Sequence, residues 1–250
     1  DEQLTVGASI AAARPLSANS RLCWQGCKLV GEHFQIDSVK AKNFTALYPD
    51  VGPRLPVYWA GSDIARVHRP RHVIDFYGLP ENAVREKYPA IFQHLTDYVL
   101  PEREQNRDRG FREKWWVFGR PRPDLREANA GLARYIATSE VAKHRLFIFL
   151  EWPKNLIDGG VIGIASADAF VYGVLSSRIH VAWALAAGGR MGVGDDPRYQ
   201  NARCFDPFPF PNCTSECQER IRAAGEQLDV HRKRQQKSHP KLTLTDMYNV

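Results

Sequence analysis

Apolar residues recur at three- and four-residue steps over residues 170–185. Val171, Val174, Leu175, Ile179, Ala182 and Leu185 fall on one helical face, which predicts a single buried helix. Gly188 and Gly189 follow, and glycine readily adopts the backbone conformation that ends a helix. The next residues are polar: Arg190, Asp195, Asp196, Arg198, Gln200, Asn201 and Arg203. The alternating run Phe205–Pro211 then brings the chain back, and its aromatic rings are expected to anchor that return on the core. A buried helix that presents long hydrogen-bonding side chains on a loop is suited to reading a partner rather than transforming one.

The rest of the chain alternates less regularly. Residues 1–20 are linker-like. Strand character is expected over residues 22–36, and a short polar helix over residues 37–50. The proline-restricted segment 51–64 predicts loop and strand. HVIDF (72–76) and WWVFG (115–119) have strand character, as do RYIAT, RLFIFL and VIGIA (134–138, 145–150 and 161–165). Pro80 suits the first turn of a helix over residues 80–100, with Val84, Tyr88, Ile91, Phe92, Leu95 and Val99 inward. A second long helix is expected over 214–238, with Ile221, Ala224, Leu228 and His231 on its inner face. Strands and helices mixed in this way indicate an α+β fold with a mixed β-sheet and a C-terminal helical segment. The expected division is a linker over 1–20, one main domain over 21–212 and a helical segment over 213–250.

Charge adds one permission. The 34 basic and 28 acidic residues leave a net +6, which is compatible with nucleic-acid binding without requiring it. Basic residues cluster at 66–72 and 231–237, and mixed charge fills 102–114, where a solvated helix face and a phosphate-tracking surface are both open. No apolar run is long enough for a membrane helix, and the first residues lack the layout of a signal peptide. The absence of an initiator methionine predicts a piece of a longer protein. Cys23/Cys27 and Cys213/Cys217 have a spacing that zinc tolerates, yet no histidine completes a motif, so reduced cytoplasmic thiols are expected and no metal.

Signatures of catalysis are missing. There is no phosphate-binding GxxxxGK[ST], no GxSxG elbow, no HExxH helix and no deaminase signature. GGRMGVG (188–194) follows a helix pattern, whereas a nucleotide fingerprint follows a strand. His180 is expected to be a packed residue.

Seven stretches, in this order, resemble one family: YWAGSDI (58–64), VIDFYGL (73–79), PEREQNR (101–107), KWWVFGRPRP (114–123), RYIATSEVAKHR (134–145), FVYGVLSSRIHVAWALAAG (170–188) and RYQNARCFDPFPFP (198–211). They resemble the target-recognition region of MmeI-type (type IIL) restriction-modification enzymes and related adenine-N6 DNA methyltransferases, across most of residues 20–250. The resemblance implies a specificity module for double-stranded DNA. Its parent would carry an S-adenosylmethionine-dependent methyltransferase domain with an NPPY-type tetrapeptide, and in many members a nuclease. Neither the tetrapeptide nor the cofactor's glycine motif occurs here, so no catalytic residue and no cofactor is expected in this chain itself. The methyltransferase domain of the same parent chain is an expected partner.

The resemblance also places base contacts around the loop after the SSRIHVAW helix, here Arg190 to Arg203. The family's charged pair before the RY dipeptide is replaced here by Asp195, Asp196 and Arg198 in a longer loop. Arginine donates two hydrogen bonds to guanine and aspartate accepts from cytosine, whereas phosphates repel aspartate; alternating Asp and Arg therefore favour direct readout. The base-contact candidates are Arg190, Asp195, Asp196, Arg198, Gln200, Lys143, His144 and Arg145. The phosphate-contact candidates are Arg112, Lys114, Arg120 and Arg122. Two alternatives stay open: a transferase or hydrolase fragment using Asp195, Asp196 and His180, and a protein-interaction module docking through the basic C-terminal helix.

Overall fold

The computed structural model describes residues 13–191 and 196–249. Two four-stranded sheets lie side by side in the chain's path, with helices around them, so the fold is α+β.

Strand β1 (Cys23–Gln25) begins the first sheet. The chain then enters the second sheet with β2 (Gln35–Asp37), whose last residue caps α1 (Ser38–Leu47) by accepting from the Lys40 amide at 2.7 Å. β3 (Val57–Trp59), α2 (Gly61–Ala65) and β4 (Arg71–Val73) follow. The helical region expected over 80–100 is two helices, α3 (Glu81–Lys87) and α4 (Pro89–Tyr98). Pro89 starts the second, because proline has no amide to continue the first. Val84, Tyr88, Ile91, Leu95 and Val99 are buried as the periodicity requires. α5 (Leu100–Glu104), α6 (Arg109–Glu113) and α7 (Pro123–Ala128) complete this half.

WWVFG is not a strand. Trp115 and Phe118 are buried, but the segment turns between α6 and α7, so its hydrophobicity serves packing rather than pairing. β5 (Arg134–Ser139), β6 (Ile148–Glu151), β7 (Asn155–Ile157) and β8 (Val161–Ile164) come next. β7 was not evident in the sequence, because its three residues are too short for a pattern.

The first sheet runs β1-β8-β5-β6 and is antiparallel throughout. The second runs β2-β4-β3-β7, with β3 and β7 parallel. Gly26 sits where the chain leaves one sheet for the other; a Cβ there would lie 2.2 Å from the Asp158 carbonyl oxygen. One core gathers Phe34, Ile74, Phe76, Ile91 and Phe118, and another gathers Ile136, Phe147, Ile164, Tyr172 and Phe205.

Residues 170–187 are not one helix. α8 (Ala169–Leu175) and α9 (Arg178–Ala187) meet at a 59° bend. The bend follows from Ser177, whose extended backbone and side chain cap α9 by accepting from the His180 amide at 3.3 Å. The bend also rotates the expected apolar face. Ile179 is 77% exposed and Leu185 41%, while His180 and Ala184 are buried. β9 (Gly189–Met191) and β10 (Asp196–Arg198) form an antiparallel hairpin, and residues 201–205 make a short π-helical turn.

The last long helix is α10 (Ser215–Ser238), followed by the short α11 (Leu244–Tyr248). Its inner face is offset from the expected one. Gly225, Asp229 and Arg232 are buried, whereas Ala224 and His231 are exposed. Gly225 explains the offset, because a Cβ there would lie 2.4 Å from the Ala169 carbonyl oxygen of α8. At this point α10 comes directly against the backbone of α8. Among the described residues no single helix is long and apolar enough to cross a membrane.

Candidate nucleic-acid interface

The hairpin is built from its base. At Gly188 a Cβ would lie 2.3 Å from the Arg198 carbonyl oxygen, so only glycine lets the end of α9 pass under β10. The hairpin pairs Arg190 with Pro197 and Met191 with Asp196. Its outer edge continues into residues 139–142. The Tyr199 amide donates to the Glu140 carbonyl at 2.7 Å and the Ala142 amide to the Pro197 carbonyl at 3.3 Å. The insert SEVAKHR is therefore the hairpin's bed.

A chain of polar contacts crosses that bed. Arg198 donates from Nε and Nη2 to Oε1 of Glu140 at 2.8 and 2.6 Å. Glu140 Oε2 accepts from the Gln25 amide at 3.3 Å, and Gln25 Oε1 accepts from Arg122 Nη2 at 3.0 Å. Arg122 also donates to the Gly26 carbonyl at 3.1 Å. Residues from four separate parts of the chain thus fix the hairpin to the sheet junction. Glu140 and Gln25 had no signal in the sequence beyond the polarity of the segment around Glu140, because their role depends on a partner far away along the chain.

The candidates sort by accessibility. Arg145 is buried, and donates to Thr138 Oγ1 at 3.1 Å, to the Ser139 carbonyl and to the Pro197 carbonyl at 3.0 Å. Burial pushes its guanidinium down to about 10. It holds the hairpin from beneath and presents nothing to a groove. Arg122 is likewise occupied within the fold. Asp196, Arg198 and Gln200 are half-buried at the hairpin's edge, and Arg190 lies opposite Pro197 on the neighbouring strand. Asp195 lies outside the described residues. Lys143 is exposed; its Nζ and His144 Nε2 meet Asn249 Oδ1 at 2.7 and 2.8 Å, beside α11.

Arg112, Lys114 and Arg120 are exposed on the other half of the molecule. Arg112 closes its own loop by donating to the Asn106 and Arg107 carbonyls at 2.6 and 3.1 Å. Lys114 lines a groove with Asp108, Phe111 and Trp116.

The catalytic alternative does not fit this geometry. His180 is wholly buried and shares a 3.0 Å hydrogen bond with the Tyr199 hydroxyl, between the rings of Phe147 and Phe208. Desolvation, then the nearby Arg145 charge, push its pKa down to about 3. It is a neutral core residue that no substrate reaches. The Phe-Pro run is equally structural: Asn19 Nδ2 donates to the carbonyls of Phe205, Asp206 and Phe208 at 3.1, 3.1 and 2.8 Å. Among the described residues no group of three or more His, Cys, Asp or Glu could hold a metal.

Comparison with known proteins bears on the same region. Residues 127–212, from α7 through the hairpin to the Phe-Pro run, match the family described as "MmeI, target recognition domain". This stretch resembles a target recognition domain of the MmeI kind. The chain is also similar to part of DNA methyltransferase A of Bacillus subtilis (strain 168), 30% identical over 86 residues, which is 34% of this chain and 9% of that protein. The fold is similar over 98% of this chain to the solved type IIL restriction-modification enzyme MmeI in complex with DNA, with a TM-score of 0.73 and 16% identity. The chain spans 31% of that solved chain. The likeness of fold thus reaches α3 to α6 and α10, beyond residues 127–212.

Proposed function

We propose that this chain is the sequence-specific duplex DNA recognition module of a DNA adenine methyltransferase or restriction-modification enzyme of the type IIL kind. Residues 21–212 form the recognition domain and residues 213–250 a helical segment against it. The observation that carries this reading is the match of residues 127–212 to a target recognition domain, because that stretch contains the hairpin and its whole bed. In this reading Arg190, Asp195, Asp196, Arg198 and Gln200 are base readers, and Lys143 and His144 are further candidates. Arg112, Lys114 and Arg120 remain candidates for phosphates, whereas the internal contacts of Arg145 and Arg122 support positioning roles.

S-adenosylmethionine belongs to another part of the parent protein in this reading. The glycine-rich run beginning at Gly188 follows α9 and leads into a hairpin, which is not the strand-to-helix turn that cradles such a cofactor. The partners are double-stranded DNA and the parent's methyltransferase domain.

Fluorescence anisotropy with a panel of labelled duplexes at low salt tests the reading. Binding that weakens steeply with salt is expected, because neutralised phosphates release counterions. Grafting residues 127–212 into a related methyltransferase should change the methylated sequence. No duplex binding at low salt, together with an unchanged target after grafting, would overturn the proposal.

A further inference from the structure

Two basic runs that are far apart in sequence, 66–72 and 231–237, meet in the fold, and the hairpin accounts for neither. After α2 the chain carries Arg66, Val67, His68 and Arg69 over the surface, with Arg66, Val67 and Arg69 exposed. Arg66, Arg69 and Arg71 line one groove with Thr243. Arg66 also lines the neighbouring cleft, whose opposite wall is α10, through Lys233 and Gln236. Asp63, Arg66 and Val67 are common to both.

The carboxylates on these walls are already engaged. Asp63 accepts from Arg71 at 2.5 Å and Asp229 from Lys233 at 2.6 Å. Glu151, on the cleft's wall, accepts from Lys154 at 2.7 Å. Arg66 and Arg69 make no ion pair among the described residues, so their charge is uncompensated. Beneath them His68 is stacked on Trp59, with ring centroids 3.8 Å apart, which stiffens the loop that carries both arginines. An exposed pair of guanidiniums on a braced loop beside a groove is suited to phosphate oxygens.

The groove also lies near the reading edge. The Gly61 carbonyl of α2 accepts from Ser139 Oγ at 2.6 Å, one residue before Glu140. Asn249, just after α11, bonds Lys143 and His144, and Thr243 at the start of α11 lines the groove. A continuous surface therefore runs from Lys143 and His144 over α11 to Arg66 and Arg69.

We infer that Arg66 and Arg69 form a phosphodiester-backbone contact on the α2–α11 side of the hairpin. This rests on the proposed DNA recognition and adds to it a second, sequence-independent grip. The test uses the 250-residue chain and its Arg66→Gln/Arg69→Gln double variant. Both are titrated by anisotropy against the tightest-binding duplex of the labelled panel, taken as cognate, and a weakly bound unrelated duplex, from 50 to 200 mM KCl. Losing two phosphate contacts should lower the slope of log affinity against log salt by roughly 1.8, so the wild type's advantage falls about tenfold across that range. The loss should be the same on both duplexes. An equal slope in wild type and variant overturns this contact alone, as does a loss confined to the cognate duplex. Absence of duplex binding by the wild type overturns this contact, and together with an unchanged target after grafting it overturns the recognition function as well. Both arginines are exposed, so an unchanged melting temperature is expected and separates contact loss from misfolding.

Discussion

Arg198 lies at the edge of the hairpin with two of its guanidinium nitrogens on one carboxylate oxygen of Glu140, at 2.8 and 2.6 Å. Glu140 is the less exposed partner, at 16% against 34%. The pair joins the strand that carries the candidate readers to the insert beneath it. Its geometry makes Arg198 partly a structural residue even if its remaining nitrogen faces DNA.

That dual role is separable by substitution. If Arg198 acts only through Glu140, then Arg198→Gln and Glu140→Gln should lower stability by similar amounts, about 1 kcal/mol each. The double variant should be little worse than either, which urea unfolding would show as a coupling energy close to one single effect. If Arg198 also reads a base, only Arg198→Gln should relax the choice at one position of the target, measured by methylation or binding across single-base variants. Equal relaxation by both changes would assign the specificity to hairpin position rather than to the guanidinium.

Arg145 should behave differently. Its bonds to Thr138, Ser139 and Pro197 are internal, and Arg145→Met would leave those acceptors unsatisfied at a cost of about 3 kcal/mol. The expected outcome is a lower melting temperature with an unaltered preference among duplexes at temperatures where the variant is folded. A changed base preference in the folded variant would return Arg145 to the readers.

These contrasts show what the sequence could and could not convey. Periodicity located α3, α4 and α10, because burying one face is a property of the local pattern. It mistook residues 170–187 for one helix, because a serine cap at Ser177 outweighs a compatible apolar spacing on either side. It placed the face of α10 wrongly because the contact there is Gly225 against the backbone of Ala169, and a glycine leaves no mark in a hydrophobic pattern. At the interface, charge identified Arg145 and Arg122 as candidates on the same footing as Lys143. Only their hydrogen bonds to distant carbonyls separate an arginine that supports a loop from one that faces solvent. Gln25 and Glu140 were invisible for the same reason.

Adjacent glycines at the hairpin base offer an internally controlled test. A methyl group at Gly188 would meet the Arg198 carbonyl oxygen at 2.3 Å and the Ala184 carbonyl oxygen at 2.7 Å, both backbone atoms. At Gly189 the nearest atom is Gln200 Oε1 at 3.8 Å, an ordinary contact. Gly188→Ala should therefore cost about 1–3 kcal/mol and speed amide exchange in the hairpin. Gly189→Ala should leave both nearly unchanged. Equal effects would mean that the hairpin base is not the tight crossing described.

Buried His180 gives stability a predictable pH dependence. Its folded pKa of about 3 lies below the ordinary 6.5, so the unfolded chain binds a proton more readily than the native one. The contribution of the neutral ring is complete above about pH 6.5 and is lost progressively as pH falls towards 3. For this single group the slope approaches about 1.4 kcal/mol per pH unit, which amounts to about 2 kcal/mol between pH 7 and pH 5. His68 and His94 are also held below the ordinary range, chiefly by burial, so they add to the slope with the same sign. His180→Gln keeps a polar partner for Tyr199 but does not titrate. Urea unfolding of both proteins at pH 7 and pH 5 should show a smaller acid loss in the variant, by up to that amount. An identical loss would mean that His180 is protonated in the native state or exposed to water.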